Sequence, residues 1–335
     1  MIYYRVIALL FLSLSVSCSS VSSYKIINKE GFEEGQEIKE QSKFLVSSIA
    51  NASRKLHDIA WPIMISNLDR CQNSKINAFG LMIAHLEDIP SSLASSFYAA
   101  SPINSLINSK ADLPMIVSVA KDSPADRAKI IEGDLIISIN NSIVSYKNYK
   151  RLLDDAAIQG SLKIRIKRLE EEIIYELESK LICGYPVQAM ISPIPNAYAD
   201  GSKIYITIAT LDFVKDDQEI AFLIAHELAH NIYHFKGEAL YESQGNPLAI
   251  EEKPSLQKIT DLLIFQTEEK ETEADLYGVE FAIKAGIAQD KVANYFRRLT
   301  IYMPQLMKNS FFRMHPGNAK RVADIERKLK ELNSN

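Results

Sequence analysis

Apolar and polar positions change rhythm three times along the chain. From about Glu33 to Leu68, apolar residues recur at helical spacing among charges, which predicts one or two amphipathic helices. From about Ile76 to Glu172 the apolar runs shorten, and Met115 to Val119, Leu135 to Ile139 and Ser161 to Ile166 predict strands, the last with period-two alternation. Between the first two, Ser123 supplies a cap and Pro124 a first-turn proline for a short helix, and Gly133-Asp134 turns the chain into the next strand. The third section opens with Asn196 to Gly201, continues as a strand-like Lys203 to Leu211, and then enters a helix carrying Ile220 to His230. A second helix runs through Glu271 to Gly278.

Composition adds bounds to this pattern. With 335 residues, 47% of them hydrophobic, and a net charge of -4, the chain has material for two compact domains plus linkers. Phosphate binding needs clustered Lys and Arg, and no basic stripe is present, which excludes nucleic acid as a partner. At the start, Arg5 precedes an apolar run from Val6 to Leu14 and small residues before Cys18, the shape of a secretory signal. That run is too short to cross a hydrocarbon core of about 30 Å, which takes roughly 20 apolar residues as a helix. If Cys18 is modified or removed, Cys71 and Cys183 are the remaining pair, expected to bridge in an oxidising compartment.

The chemistry concentrates in His226-Glu227-Leu228-Ala229-His230. Positions i and i+4 share a helix face, so His226 and His230 can aim both imidazoles at one metal with Glu227 beside them as general base. Zinc accepts neutral imidazoles, needs a third protein ligand and keeps an open position for water, whose pKa it lowers towards about 7. The third ligand is expected downstream, where Glu271 and Asp275 share a face: one carboxylate ligates while the other fixes a histidine tautomer. His234 continues the series at i+8 but does not match the metzincin spacing, which falls on Lys236, and reads as a residue behind the ligands or on the surface. His57, beside Trp61, and His85 read as packing or surface residues.

Three resemblances extend this reading. Ser123-Pro124-Ala125, Gly133-Asp134, Ile139-Asn140 and a helix from about Tyr146 to Ala157 resemble a PDZ domain, with Ala128 where that family usually has glycine and Asn141 in place of the turn glycine. The resemblance implies an extended peptide added beside a groove, with Phe79-Gly80-Leu81-Met82 as the candidate carboxylate-binding loop, or else a scaffold that positions the next domain. Residues from about Leu181 onward resemble the M48 family of gluzincin metallopeptidases, through His226 to His230, Glu271 to Asp275, the edge-strand entry Asn196-Ala197, His315-Pro316 and Arg321. That resemblance implies Glu271 as the third ligand, rather than Glu273, and roles near the metal for His315 and Arg321. Leu14 to Ser20 resembles a bacterial lipobox, with Ser15 where leucine is usual, and implies a lipidated Cys18.

The expected architecture is α+β: a signal peptide over 1–17, a tether and amphipathic segment over 18–75, a β-rich PDZ-like domain over 76–172, and a mainly helical zincin-type domain with a small edge-strand sheet over 173–335. The expected activity is that of a zinc metalloendopeptidase with one Zn2+ per chain. It would act on protein or peptide substrates on the periplasmic side of a bacterial membrane, held by a lipid anchor to the outer membrane or soluble if the lipobox reading fails. The alternative is a lipoprotein chaperone or adaptor that captures clients through the PDZ-like domain over a latent metal site. The segment Lys236 to Glu269, with its patch Leu262 to Phe265, reads as a lid, a membrane-facing flap or a packed surface helix.

Overall fold

Helix α1 (Phe32–Ser66) runs unbroken where the periodicity allowed one or two helices. This computed structural model describes residues 32–72, 74–103, 112–235, 246–250, 267–302, 304 and 319–334. The signal segment, Cys18, His315-Pro316 and most of Lys236 to Glu269 lie outside the described residues. No helix among the described residues is long and apolar enough to cross a membrane. The described residues from Gln41 onward form one compact unit, and the first turns of α1, up to Glu40, belong to another.

Strands β1 (Lys75–Ala78) and β2 (Leu81–Ala84) are followed by 3-10 turns over Leu86–Asp88 and Ser91–Ala100. The expected β-rich region follows as β3 (Met115–Val119), α2 (Pro124–Arg127), β4 (Leu135–Ile139), β5 (Ser142–Ile143), α3 (Tyr149–Gln159), β6 (Ser161–Arg168) and β7 (Glu171–Glu178). These strands form an antiparallel sheet in the order β2-β3-β4-β6-β7, with β5 paired to β4. The hairpin β6–β7 carries the sheet past residue 172 to Glu178.

Period-two alternation sorts the sheet's side chains onto two covered faces. Ile116, Ile136, Ile164 and Ile166 pack with Tyr149, Leu153 and Ala156 of α3. Met115, Val117 and Leu135 point the other way, against Val46, Ile49 and Ala50 of α1. The Arg54 side chain of α1 donates to the carbonyls of Val117 and Ala100, fixing the helix on that face. Ser123 caps α2 by accepting from the Asp126 amide, as its position predicts. Both departures from the PDZ pattern are accommodated locally. Ala128 has φ −77, which needs no glycine. Asn141 sits at φ 66, a left-handed conformation that asparagine tolerates better than most residues.

The remainder is built from β8 (Lys180–Cys183), β9 (Val187–Met190), β10 (Ala197–Ala199), β11 (Ile204–Thr207), α4 (Ile208–Phe213), α5 (Asp217–Tyr233), α6 (Glu268–Lys284), α7 (Asn294–Tyr302) and α8 (Ala319–Ser334). Strand β8 turns back to pair with β1, and β10-β11-β9 form a three-stranded sheet with β10 at one edge. Cys71 and Cys183 form a disulfide, with Cα atoms 5.5 Å apart. The second core gathers Leu56, Trp61 and Met64 of α1 with Phe222 and Leu228 of α5, Phe281 of α6 and Phe296 of α7.

Candidate metal centre

Helix α5 starts at Asp216, whose side chain accepts from the Gln218 amide, and α6 starts at Thr267, which accepts from the Lys270 amide. These caps set the register of two helices that cross with almost no space between them. At the crossing stands Gly278: a Cβ there would lie 3.0 Å from the Cα of His226. Bare backbone at that position lets Glu271 and Asp275, lower on the same face of α6, reach the imidazoles of α5.

The result is a convergent group. His226 Nε2 and His230 Nε2 are 3.1 Å apart, His226 Nε2 is 3.6 Å from Glu271 Oε2, and His230 Nε2 is 3.3 Å from Glu271 Oε1. Ligand atoms on a zinc tetrahedron with bonds of about 2.0–2.1 Å stand roughly 3.3 Å from one another. The three side chains therefore fit a tetrahedral metal, and all are buried at 1 or 2% exposure, as is Glu227 beside them.

The nitrogens facing away from this centre are also engaged. His226 Nδ1 lies 3.0 Å from Asp275 Oδ1, while Asp275 takes two hydrogen bonds from Arg321, at 2.7 Å from Nε and 2.6 Å from Nη2. Arg321 Nη1 then reaches Glu271 Oε2 at 3.3 Å, and its guanidinium lies over the Phe296 ring. Burial alone would raise the Asp275 carboxyl, but Arg321 and His226 outweigh it and hold it below the usual range. Burial likewise opposes charge on His226, yet Asp275, Glu271 and Glu227 raise the metal-free imidazole to about 9. A metal at this site would displace that proton, because imidazole ligates in its neutral form.

On the other histidine the partner is His234, which the sequence placed either behind the ligands or on the surface. His230 Nδ1 stands 2.8 Å from His234 Nδ1, and His234 Nε2 stands 3.1 Å from Glu273 Oε2. His234 is thus the residue behind His230, ending on Glu273. Spacing did signal His234, at i+4 from His230, but Glu273 is visible only once α6 crosses α5.

The edge strand packs on α5, the helix that carries both histidines. Asn196 is held by Thr207 and Thr210: its amide donates to Thr207 Oγ1 at 3.0 Å, and its carbonyl accepts from Thr210 Oγ1 at 2.8 Å. Ala197 begins β10 and is buried. Asn231, which follows His230, accepts from the Gly201 amide at 2.7 Å and donates to the Lys203 carbonyl at 3.1 Å. It ties the β10–β11 turn to the metal helix, a role that only the three-dimensional structure exposes.

A second group, His85, Glu87 and Asp112, also brings metal-capable atoms together. There His85 Nδ1 accepts from the Glu87 amide at 3.2 Å, and both carboxylates are exposed. With Nδ1 accepting, the ring proton sits on Nε2, 2.8 Å from Asp112 Oδ1, and the two exposed carboxylates give none of the enclosure that surrounds His226, His230 and Glu271.

Comparison with known proteins adds three findings. The family model described as Peptidase family M48 matches residues 160–251 and 253–329, about half of the chain. A PDZ domain model matches residues 115–168. A solved structure described as "HtrA-type protease AlgW with decapeptide" is similar at 20% identity with a TM-score of 0.25, over 32% of this chain and 30% of that one. The chain thus spans less than a third of that structure's chain. No curated protein matches.

Proposed function

The chain belongs to peptidase family M48, and on that premise we propose that it is a zinc-dependent metalloendopeptidase of the cell envelope that hydrolyses peptide bonds of protein substrates in quality control. The observation carrying this reading is the buried convergence of His226, His230 and Glu271 at tetrahedral spacing, with the outward histidine nitrogens already engaged.

His226, His230 and Glu271 would hold the zinc ion, which would supply Lewis acidity towards the attacking water and the scissile carbonyl. Glu227, next in sequence to His226 and equally buried, takes the proton of the attacking water and returns it to the departing amine. Asp275 and Arg321 hold His226 and Glu271 in place. A substrate extends along β10, bound through main-chain hydrogen bonds at the sheet edge, which gives little side-chain selectivity. On the family resemblance His315, which lies outside the described residues, is included in the proposal as a donor to the developing oxyanion or as a reversible fourth ligand.

The PDZ match supports capture of peptide or protein substrates by the preceding domain. Export, with Cys18 as a lipid anchor to the outer membrane, is part of the proposal. The disulfide between Cys71 and Cys183 supports it, since such bonds persist in oxidising compartments.

Degradation of β-casein by the wild type and by Glu227→Gln tests the reading. The substitution keeps every ligand and removes the base, so zinc should be retained and proteolysis lost. Undiminished cleavage by Glu227→Gln would overturn the mechanism. Zinc-free wild type with intact client binding would favour the chaperone or adaptor reading.

A further inference from the structure

Strand β10 has two different faces. Ala197 and its register partner Ile206 are buried in the core shared with Ala225 and Leu228 of α5. Tyr198 takes the opposite face, as the period-two alternation of a strand requires, and stays partly exposed together with Tyr205, Gln188 and Met190. The two tyrosines are register partners, and their rings stack with centroids 4.7 Å apart and planes 11° from parallel. The Tyr198 hydroxyl lies 2.8 Å from Met190 Sδ, on the far strand of the same sheet. One face and the hydroxyl of Tyr198 are thus held before any ligand arrives, and a preorganised side chain loses little freedom on binding.

Hydrogen bonding fixes what the strand offers along its other side. The Thr207 amide donates to the Asn196 carbonyl and the Asp200 amide to the Lys203 carbonyl, so by alternation residues 196, 198 and 200 turn their main-chain groups towards β11. Those of Ala197 and Ala199 point away from β11, to the edge of the sheet. A peptide pairing there in the antiparallel sense bonds to Ala197 and Ala199. Its intervening residue then faces Tyr198 as a non-hydrogen-bonded pair, the arrangement that brings cross-strand side chains closest, at about 4.5 Å between α-carbons. The residues on either side of it point to the α5 face instead.

We propose that Tyr198, backed by Tyr205, sets the substrate preference of the peptidase by accepting an aromatic or large aliphatic side chain at the substrate position opposite it. Main-chain pairing reads little of a substrate's sequence, and this side-chain pair adds one position that is read. The proposal rests on the reading that substrate extends along β10, and it names the substrate class: segments carrying a bulky apolar residue, which folded proteins mostly keep buried.

The test profiles cleavage of a mixed peptide library by the full wild-type chain, Tyr198→Ala and Tyr198→Phe, with products read by mass spectrometry so that each position is scored relative to the broken bond. The wild type should favour Phe, Tyr, Leu or Met over Ala at one position by roughly 2- to 5-fold, the worth of a good cross-strand pair. Tyr198→Phe should keep that preference. Tyr198→Ala should lose it while keeping whatever preferences stand at the two adjacent positions. Such ratios within one enzyme do not depend on how much of a variant folds. Calorimetry on Glu227→Gln, which binds without cutting, should show the same ratio of affinities for a preferred peptide and its alanine counterpart, and no difference once Tyr198→Ala is added. Cleavage with a preference that Tyr198→Ala leaves unchanged, or that it removes equally at adjacent positions, would overturn the proposal alone. Absence of both cleavage and peptide binding would overturn the peptidase reading and this proposal with it.

Discussion

Gly278 of α6 meets the backbone of His226 on α5: a β-carbon at Gly278 would stand 3.0 Å from the Cα and 3.1 Å from the amide nitrogen of His226. Both obstructing atoms are main chain, so no side chain can swing aside. Gly278→Ala should push α6 away from α5 and cost about 1–3 kcal/mol of stability, as overpacking typically does. Chelator competition should also show weaker zinc binding, because Glu271 and Asp275 move with the helix. An unchanged melting temperature together with unchanged zinc affinity would show that the crossing is not this tight.

Much of the centre was legible in the sequence because its parts are local. His226, Glu227 and His230 lie within one turn and a half of a helix, and Glu271 and Asp275 are again i and i+4, so helical periodicity alone groups each set. The partners across the crossing were not legible. Gly278 and Asn231 each act through a contact with another element, and nothing in their own neighbourhoods marks them, while Glu273 stands inside the carboxylate motif but meets His234 only across the crossing. The strands show the same division. Ser161 to Ile166 alternates cleanly and was readable, whereas β7 has mostly exposed side chains, and β1 with β8 pairs residues more than one hundred positions apart.

Asp275 accepts two hydrogen bonds from Arg321, whose charge is buried. Asp275→Asn leaves that charge without its main counter-ion, and breaking a buried pair from one side typically costs about 3–5 kcal/mol. Zinc affinity should also fall, by roughly 10- to 100-fold, as when a metal-bound histidine loses its carboxylate partner. Thermal denaturation and chelator competition on the same preparation check both effects.

His234→Ala removes the group at 2.8 Å from His230 Nδ1 while leaving all three proposed ligands. Zinc affinity should drop by roughly 10-fold or more, with the fold retained by circular dichroism. Glu273→Gln keeps an acceptor for His234 and should have a smaller effect. Equal zinc affinity in the wild type and His234→Ala would make His234 a bystander.

His57 gives the fold an acid sensitivity of its own. Its folded-state pKa is depressed by burial from 6.5 to about 4, so as the pH falls from 6.5 the unfolded chain takes up a proton that the folded chain refuses. Stability from this group is complete above about pH 7, declines as the pH falls towards 4, and is lost by on the order of 1–2 kcal/mol below that, since the ring is only partly shielded from water. Urea denaturation at pH 7 and pH 4 should therefore show a smaller difference for His57→Gln than for the wild type. Equal pH dependence in the two proteins would contradict this assignment.

The central claim is that His226, His230 and Glu271 hold one zinc ion, and it is tested most directly by the zinc-to-chain ratio of the purified protein, measured by elemental analysis beside that of His226→Ala. The account predicts one zinc per chain in the wild type and close to none in the variant. Full zinc occupancy in His226→Ala would contradict it, because the metal would then be held elsewhere.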